Sequence, residues 1–220
     1  MAAAAVSSRP TRPYQRRRRG PVVVLVSVLA VVALVTWTTV LITAAGRSGA
    51  VSCPTPAAGA AGEVVEASSL DSTTPAAASA VKVRVLNGGG QRGQANLVAA
   101  QLGDLGFAEG GAPDNDPLFP DGDLECRGQI RFGANGSAAA ATLAIVLPCT
   151  ELVRDARADE TVDFAVGTAF SDVKPGRPAK DVLDQLANPP ADTSAEGGTA
   201  GPPPPAVDPT TLQEARDASC

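Results

Sequence analysis

A chain of 220 residues with 18 basic and 23 acidic side chains carries a net charge of −5 and contains no histidine. The charge is divided unevenly. The first 45 residues hold six Arg and no acid, and the rest hold twelve basic and twenty-three acidic groups, or −11. So acidic a main part argues against a face that neutralises nucleic-acid phosphates, and the lack of His removes the commonest metal ligand and the usual acid–base group.

Met1–Gly20 is rich in Ala, Arg and Pro without apolar periodicity, and reads as a disordered cytoplasmic tail. It closes on Arg16, Arg17, Arg18 and Arg19. Pro21–Ala45 follows without a charged residue. A hydrocarbon core of ~30 Å needs about 20 apolar helical residues, so this stretch is predicted to span the membrane with some tilt. The arginines are its topology signal: they keep the amino end inside, contact anionic lipid, and leave the remainder extracytoplasmic. A cleaved signal peptide is the competing reading, but its apolar core runs only ~7–15 residues. Residues 46–80, mostly Ala, Gly, Ser, Thr and Pro, read as a disordered linker of ~30–35 Å average reach.

The folded part is expected over 81–187. Val81, Val83 and Val85 alternate with Lys82 and Arg84, the pattern of a half-buried strand. The turn Asn87-Gly88-Gly89-Gly90 leads into a helix with Ala95, Val98, Leu102 and Leu105 on one face, which Gly106 stops. Asp114–Asp123 is an acidic loop containing Pro. Gln129–Gly133 is a second strand, followed by a helix that Ser137 caps and Pro148 ends. Thr150–Arg157 is read as a turn or short helix. Val162, Phe164 and Val166 mark a third strand, and Val182, Leu183 and Leu186 a last helix with Pro178 in its first turn. Residues 188–220 read as a disordered tail, in which Asp208-Pro209 can start a short helix. The fold class is α/β or α+β: one transmembrane helix plus a small two-layer domain, its helices packed on a short sheet.

The stretch VKVRVLNGGGQRGQANLVAAQLGDLGF resembles the opening of the LytR C-terminal domain, on Val83, Val85, Asn87, Gly88, Gly90, Gly93, Ala95, Leu102, Gly106 and Phe107. QIRFGANGSAAAATLAIVLPC looks like its second half. The resemblance implies a non-catalytic envelope protein, without the separate transferase domain of LytR-type relatives.

Gly88, Gly90 and Gly93 also fit G-x-G-x-x-G between a strand and a helix, with Glu109 near the acidic position of a dinucleotide fingerprint. The domain is too short for two mononucleotide-binding halves, so no cofactor is expected. A milder expectation is an anion-binding turn at Gly88, Gly89, Gly90 and Arg92; a plain tight turn is the simpler reading. The cysteines are Cys53, Cys126, Cys149 and Cys220, with no CxxC spacing, so no metal site is expected and export favours disulfides. Strand and helix lengths between Cys126 and Cys149 nearly match, which predicts that these two pair. Cys53 and Cys220 are left to each other, to another molecule or, for Cys53, to a lipid, although Ala50-Val51-Ser52 is a poor lipobox.

The sequence thus reads as a single-pass membrane protein supporting envelope assembly or integrity, with no catalytic residue assigned. Its partners would be membrane lipid and a wall polymer or membrane-bound envelope protein, not nucleic acid. The alternatives are an extracytoplasmic enzyme using Asp or Glu on wall precursors, and a purely structural stalk.

Overall fold

Helix α1 (Gly20–Ser48) is continuous over 29 residues. It opens a computed structural model that describes residues 20–48, 52–57, 59, 61–189 and 207–217, with side chains in α1 described for 23–38. The hydroxyls of Ser27, Thr36 and Thr38 donate to carbonyls one turn back, at 2.9 Å each, which masks their polarity on an apolar surface. Large apolar side chains from Val23 to Trp37 are 54–67% exposed. Among the described residues no helix is long and apolar enough to cross a membrane. Arg16–Arg19 lie outside the described residues.

Residues 46–220 form a second unit. Its sheet comprises β1 (Glu63–Val65), β2 (Lys82–Asn87), β3 (Ala108–Glu109), β4 (Asp114–Asn115), β5 (Gly128–Phe132), β6 (Glu151–Arg154) and β7 (Val162–Val166). The strand order is β1-β6-β5-β7-β2-β3, with β4 also beside β2. The sheet is mixed: β2 runs parallel to β7, β3 and β4, and β5 parallel to β6, while β5 and β7 are antiparallel. Among the described residues four α-helices complete the unit: α2 (Gln94–Asp104), α3 (Ser137–Val146), α4 (Arg177–Ala187) and α5 (Pro209–Arg216).

Strand alternation decides what each face carries. Val83, Val85, Ile130, Phe132, Val162, Phe164 and Val166 point to one side, where Ala95, Val98 and Leu102 of α2 and Leu143 and Val146 of α3 complete the main core. The opposite face carries a smaller cluster of Leu86, Phe119, Leu124, Cys126 and Ala165 beneath the loop before β5. It also carries a row of paired charges. Arg84, Asp163 and Arg131 stand in register on β2, β7 and β5. Helix α2 ends as its Gly requires: Gly106 has φ +87°, and the Phe107 amide donates back to Leu102 O at 3.1 Å. Asp208 caps α5 by accepting from the Thr211 amide at 2.9 Å.

Four expectations are corrected. Residues 52–80 are not a free linker where they are described, since β1 pairs antiparallel with β6 and Leu70 is buried in the main core. Thr150–Arg157 supplies a strand, β6, parallel to β5. Residues 207–217 are folded: the Arg216 guanidinium donates to the carbonyls of Asp71 and Thr73 at 2.8 and 3.0 Å. Ser137 does not cap α3; its hydroxyl donates to Ala134 O at 3.0 Å.

The cysteine pairing is corrected as well. Cys126 is bonded to Cys53, with Cα atoms 5.0 Å apart and 73 residues between them in sequence. Cys149 is disulfide-bonded too, but not to Cys126. Matching strand and helix lengths bring Cys126 and Cys149 to the same end of the sheet, yet on opposite faces. Cys126 packs with Leu86 and Ala165 on the side away from the helices, whereas Cys149 lies beside Ile145 and Leu147 on the helix side. Packed layers stand ~10 Å apart, farther than a disulfide reaches.

Candidate binding cleft at the carboxyl end of strand β2

Strands β2 and β7 are parallel and end side by side, Asn87 opposite Val166. In open α/β sheets the carboxyl ends of parallel strands are the usual place for a ligand crevice. Three loops meet there. The Gly88 amide donates to Val166 O at 2.9 Å, and Gly88 O accepts from the Leu124 amide at 3.0 Å. A Cβ on Gly89 would come within 2.8 Å of the Gly167 carbonyl carbon. A Cβ on Gly122, where φ is +70°, would collide with the Gly90 backbone. The expected anion turn is therefore a place of backbone interlock: Gly88, Gly89 and Gly90 let the loops around residues 122 and 167 close on β2. Arg92 is exposed beside it.

Next to this interlock lies a polar cleft of about 220 Å³, lined by Asn87, Gly93, Asn96, Pro113, Asp114 and Asn115. Two of its walls come from pairing: β4 lies parallel against β2, with Leu86 opposite Asp114 and Asn87 opposite Asn115. The third is the start of α2, where Gly93 takes φ +80°. Asn87 is only 9% exposed. Its amide nitrogen donates to Gln91 O at 3.0 Å, and its Oδ1 is buried without a partner. Gln94, in the first turn of α2 and equally buried, also keeps an unpartnered Oε1. Both unused atoms are acceptors. Asn87 belongs to the turn read from sequence; Asn96, Asp114 and Asn115 were not anticipated, because a two-residue parallel strand leaves no periodic signal.

A second cleft, of about 290 Å³, opens between Ala67–Asp71, α3 and α5, with Leu70, Ile145 and Leu147 in its wall. Arg216 lines it too, but that guanidinium is spent on the carbonyls of Leu70, Asp71 and Thr73.

The charged groups of the polar sheet face are bound to each other. Asp116, fully buried, accepts two bonds from the Arg131 guanidinium at 3.0 and 2.7 Å. Arg131 also donates to Gln129, whose amide donates to Glu151 at 2.7 Å; Glu151 in turn accepts from the Cys53 amide at 3.0 Å. Asp163 is held between Arg84 and Arg157, at 2.7 and 2.8 Å. Burial alone would push its carboxyl up, but hydrogen bonds from the two guanidinium groups outweigh burial and hold it below the ordinary carboxylate range. Among the described residues no group of three or more Cys, Asp or Glu is placed to hold a metal.

The mixed sheet, with its helices on one face, is entered through the Asn-Gly turn at the end of β2. Residues 80–170 match the LytR C-terminal domain, described as "LytR cell envelope-related transcriptional attenuator". The chain belongs to this family. Its similarity extends past the domain: it is 45% identical over 166 residues to the cell envelope integrity protein Cei of Mycobacterium tuberculosis, covering 73% of this chain and 76% of that protein. The crystal structure of the soluble domain of a conserved hypothetical secreted protein from Mycobacterium marinum superposes with a TM-score of 0.60 at 41% identity. That match covers 72% of this chain and 98% of the other.

Proposed function

We propose that the chain is a single-pass envelope protein whose extracytoplasmic domain sustains envelope integrity by binding, without catalysis, a wall polymer or a membrane-bound partner. The similarity to Cei over most of both chains carries this reading. The 29-residue helix α1 supports the anchor: it contains the uncharged Pro21–Ala45 segment, its large described side chains are apolar and exposed, and the hydroxyls of Ser27, Thr36 and Thr38 are bonded to its own backbone. Neutralised carboxylates support the non-catalytic part, because Asp116, Asp155 and Asp163 are each locked to an arginine. A general acid or base needs a carboxyl free to exchange its proton with substrate.

Protease added to intact spheroplasts should digest residues 46–220 and spare the basic tail. Full-length protein, solubilised in detergent, should co-sediment with purified wall sacculi or cross-link to one membrane protein. A protected domain would reverse the topology. Recovery of neither polymer nor partner would end the binding reading.

A further inference from the structure

Cys149 holds a backbone conformation that local sequence does not explain. Among the described residues it alone of the non-glycine positions has a positive φ, +67°, in the turn after Pro148. Left-handed backbone ordinarily falls to Gly or Asn, because a Cβ crowds the following carbonyl. The Cys149 sulfur is disulfide-bonded. Cys53 and Cys126 are taken by each other, and the fourth cysteine of the chain is Cys220. Chain geometry agrees with that partner. Asp217, just past α5, lines the same cleft of about 290 Å³ as Cys149. Cys220, outside the described residues, follows three positions later, a reach of up to ~11 Å at ~3.6 Å per residue.

We propose that Cys149 and Cys220 form a second intrachain disulfide, and that this bond latches α5 as a strap beside the apolar wall of the cleft. In its formation the two thiols give up two protons and two electrons to a disulfide oxidant, which leaves as a dithiol. An external dithiol reverses the step by exchange. The strap depends on its latch. With eight residues α5 is shorter than the ~12–15 at which helices begin to hold in water by themselves. Its apolar grip is small: Val207 ahead of it and Ala215 within it meet Ile145 of α3 and Ala179, Val182 and Leu186 of α4. Arg216 adds hydrogen bonds to the carbonyls of Leu70, Asp71 and Thr73. Opening the bond loosens α5 and bares Ile145 and Val182, so the domain keeps this patch covered only where thiols are oxidised. The assignment is independent of the ligand or partner that the domain takes.

The test uses the full-length chain, purified in detergent without reductant. Trypsin puts the four cysteines on four peptides: residues 48–82, 93–127, 132–154 and 217–220. Mass spectrometry without reduction should find 132–154 linked to 217–220. Linkage of 132–154 to another peptide or to a second copy of itself, or its recovery as a free thiol, overturns the pairing. Cys220→Ser should leave one thiol per chain for iodoacetamide, at Cys149. Amides of residues 211–216 should exchange with deuterium about tenfold faster or more in that variant, while those of β5 keep their rate. Cys149→Gly, which suits the positive φ, should speed the same amides equally, since the effect follows the bond and not strain in the turn. Unchanged exchange in α5 in both variants overturns the strap, even where the peptide map shows the bond.

Discussion

Cys53→Ser should lower the melting temperature by about 10 °C, and Cys126→Ser by the same amount, with the double variant no worse than either. The bond closes a 73-residue separation, worth roughly 4 kcal/mol in the chain-entropy model. A Cys53→Ser melt within a degree or two of the parent would remove that role. Arg131→Met should cost more per atom removed, about 3–5 kcal/mol, because it strands the fully buried Asp116 carboxylate. Urea unfolding of the two variants side by side ranks them. Asp163→Asn tests the other charge cluster through pH. Its carboxyl is held below the ordinary range in the folded state, so the stability it adds is complete above the unfolded value near ~4 and is lost as pH falls through the folded value. The gap in urea midpoint between parent and Asp163→Asn should be constant from pH 7 to about 5 and shrink below about 4. A gap that grew on acidification would contradict the pairing with Arg84 and Arg157.

At the scale of elements, the interlock at the end of β2 predicts steep steric penalties. Gly167→Ala would drive a Cβ into the Cys126 carbonyl, and Gly122→Ala into the Gly90 backbone. Each should destabilise by about 2 kcal/mol or more, whereas Gly103→Ala, in α2 with open space around its Cβ position, should stabilise by up to ~1 kcal/mol. Thermal melts of the three read the contrast directly. Sequence revealed the elements whose two faces differ. Val83 and Val85 against Lys82 and Arg84 made β2 plain, and Val162, Phe164 and Val166 made β7 plain. Strand β6 escaped because Glu151, Leu152 and Val153 are buried whichever way they point, which erases the period of two. Strand β1 escaped for another reason: three residues, Glu63–Val65, become a strand only through β6.

For the whole molecule, the division into helix, acidic domain and family was open to inspection in the chain, since it rests on local composition and short motifs. What joins distant segments was not. Small-residue content made residues 46–80 look like spacer, although a single cysteine and the Glu151 carboxylate pull that stretch onto the sheet. The candidate cleft was half visible, through Asn87 and the glycines after it. Its other wall depends on Asp114 and Asn115 meeting β2 across nearly thirty residues, which no periodicity announces.

The Cys53–Cys126 bond also settles how the domain bears load. Tension arriving along the chain ahead of Cys53 passes through sulfur directly to Cys126 and on into β5. The intervening segment, with β1, β2, α2, β3 and β4, lies in a covalently shorted loop off the line of force. Stretching can peel β5 onward but cannot extend that loop. Pulled from both ends in a single-molecule experiment, the oxidised protein should release ~26 nm less contour than its Cys53→Ser, Cys126→Ser double variant, the span of 73 residues at ~3.6 Å each. A domain wired in this way can be pulled from its two ends while β2, inside the shorted loop, remains unstretched.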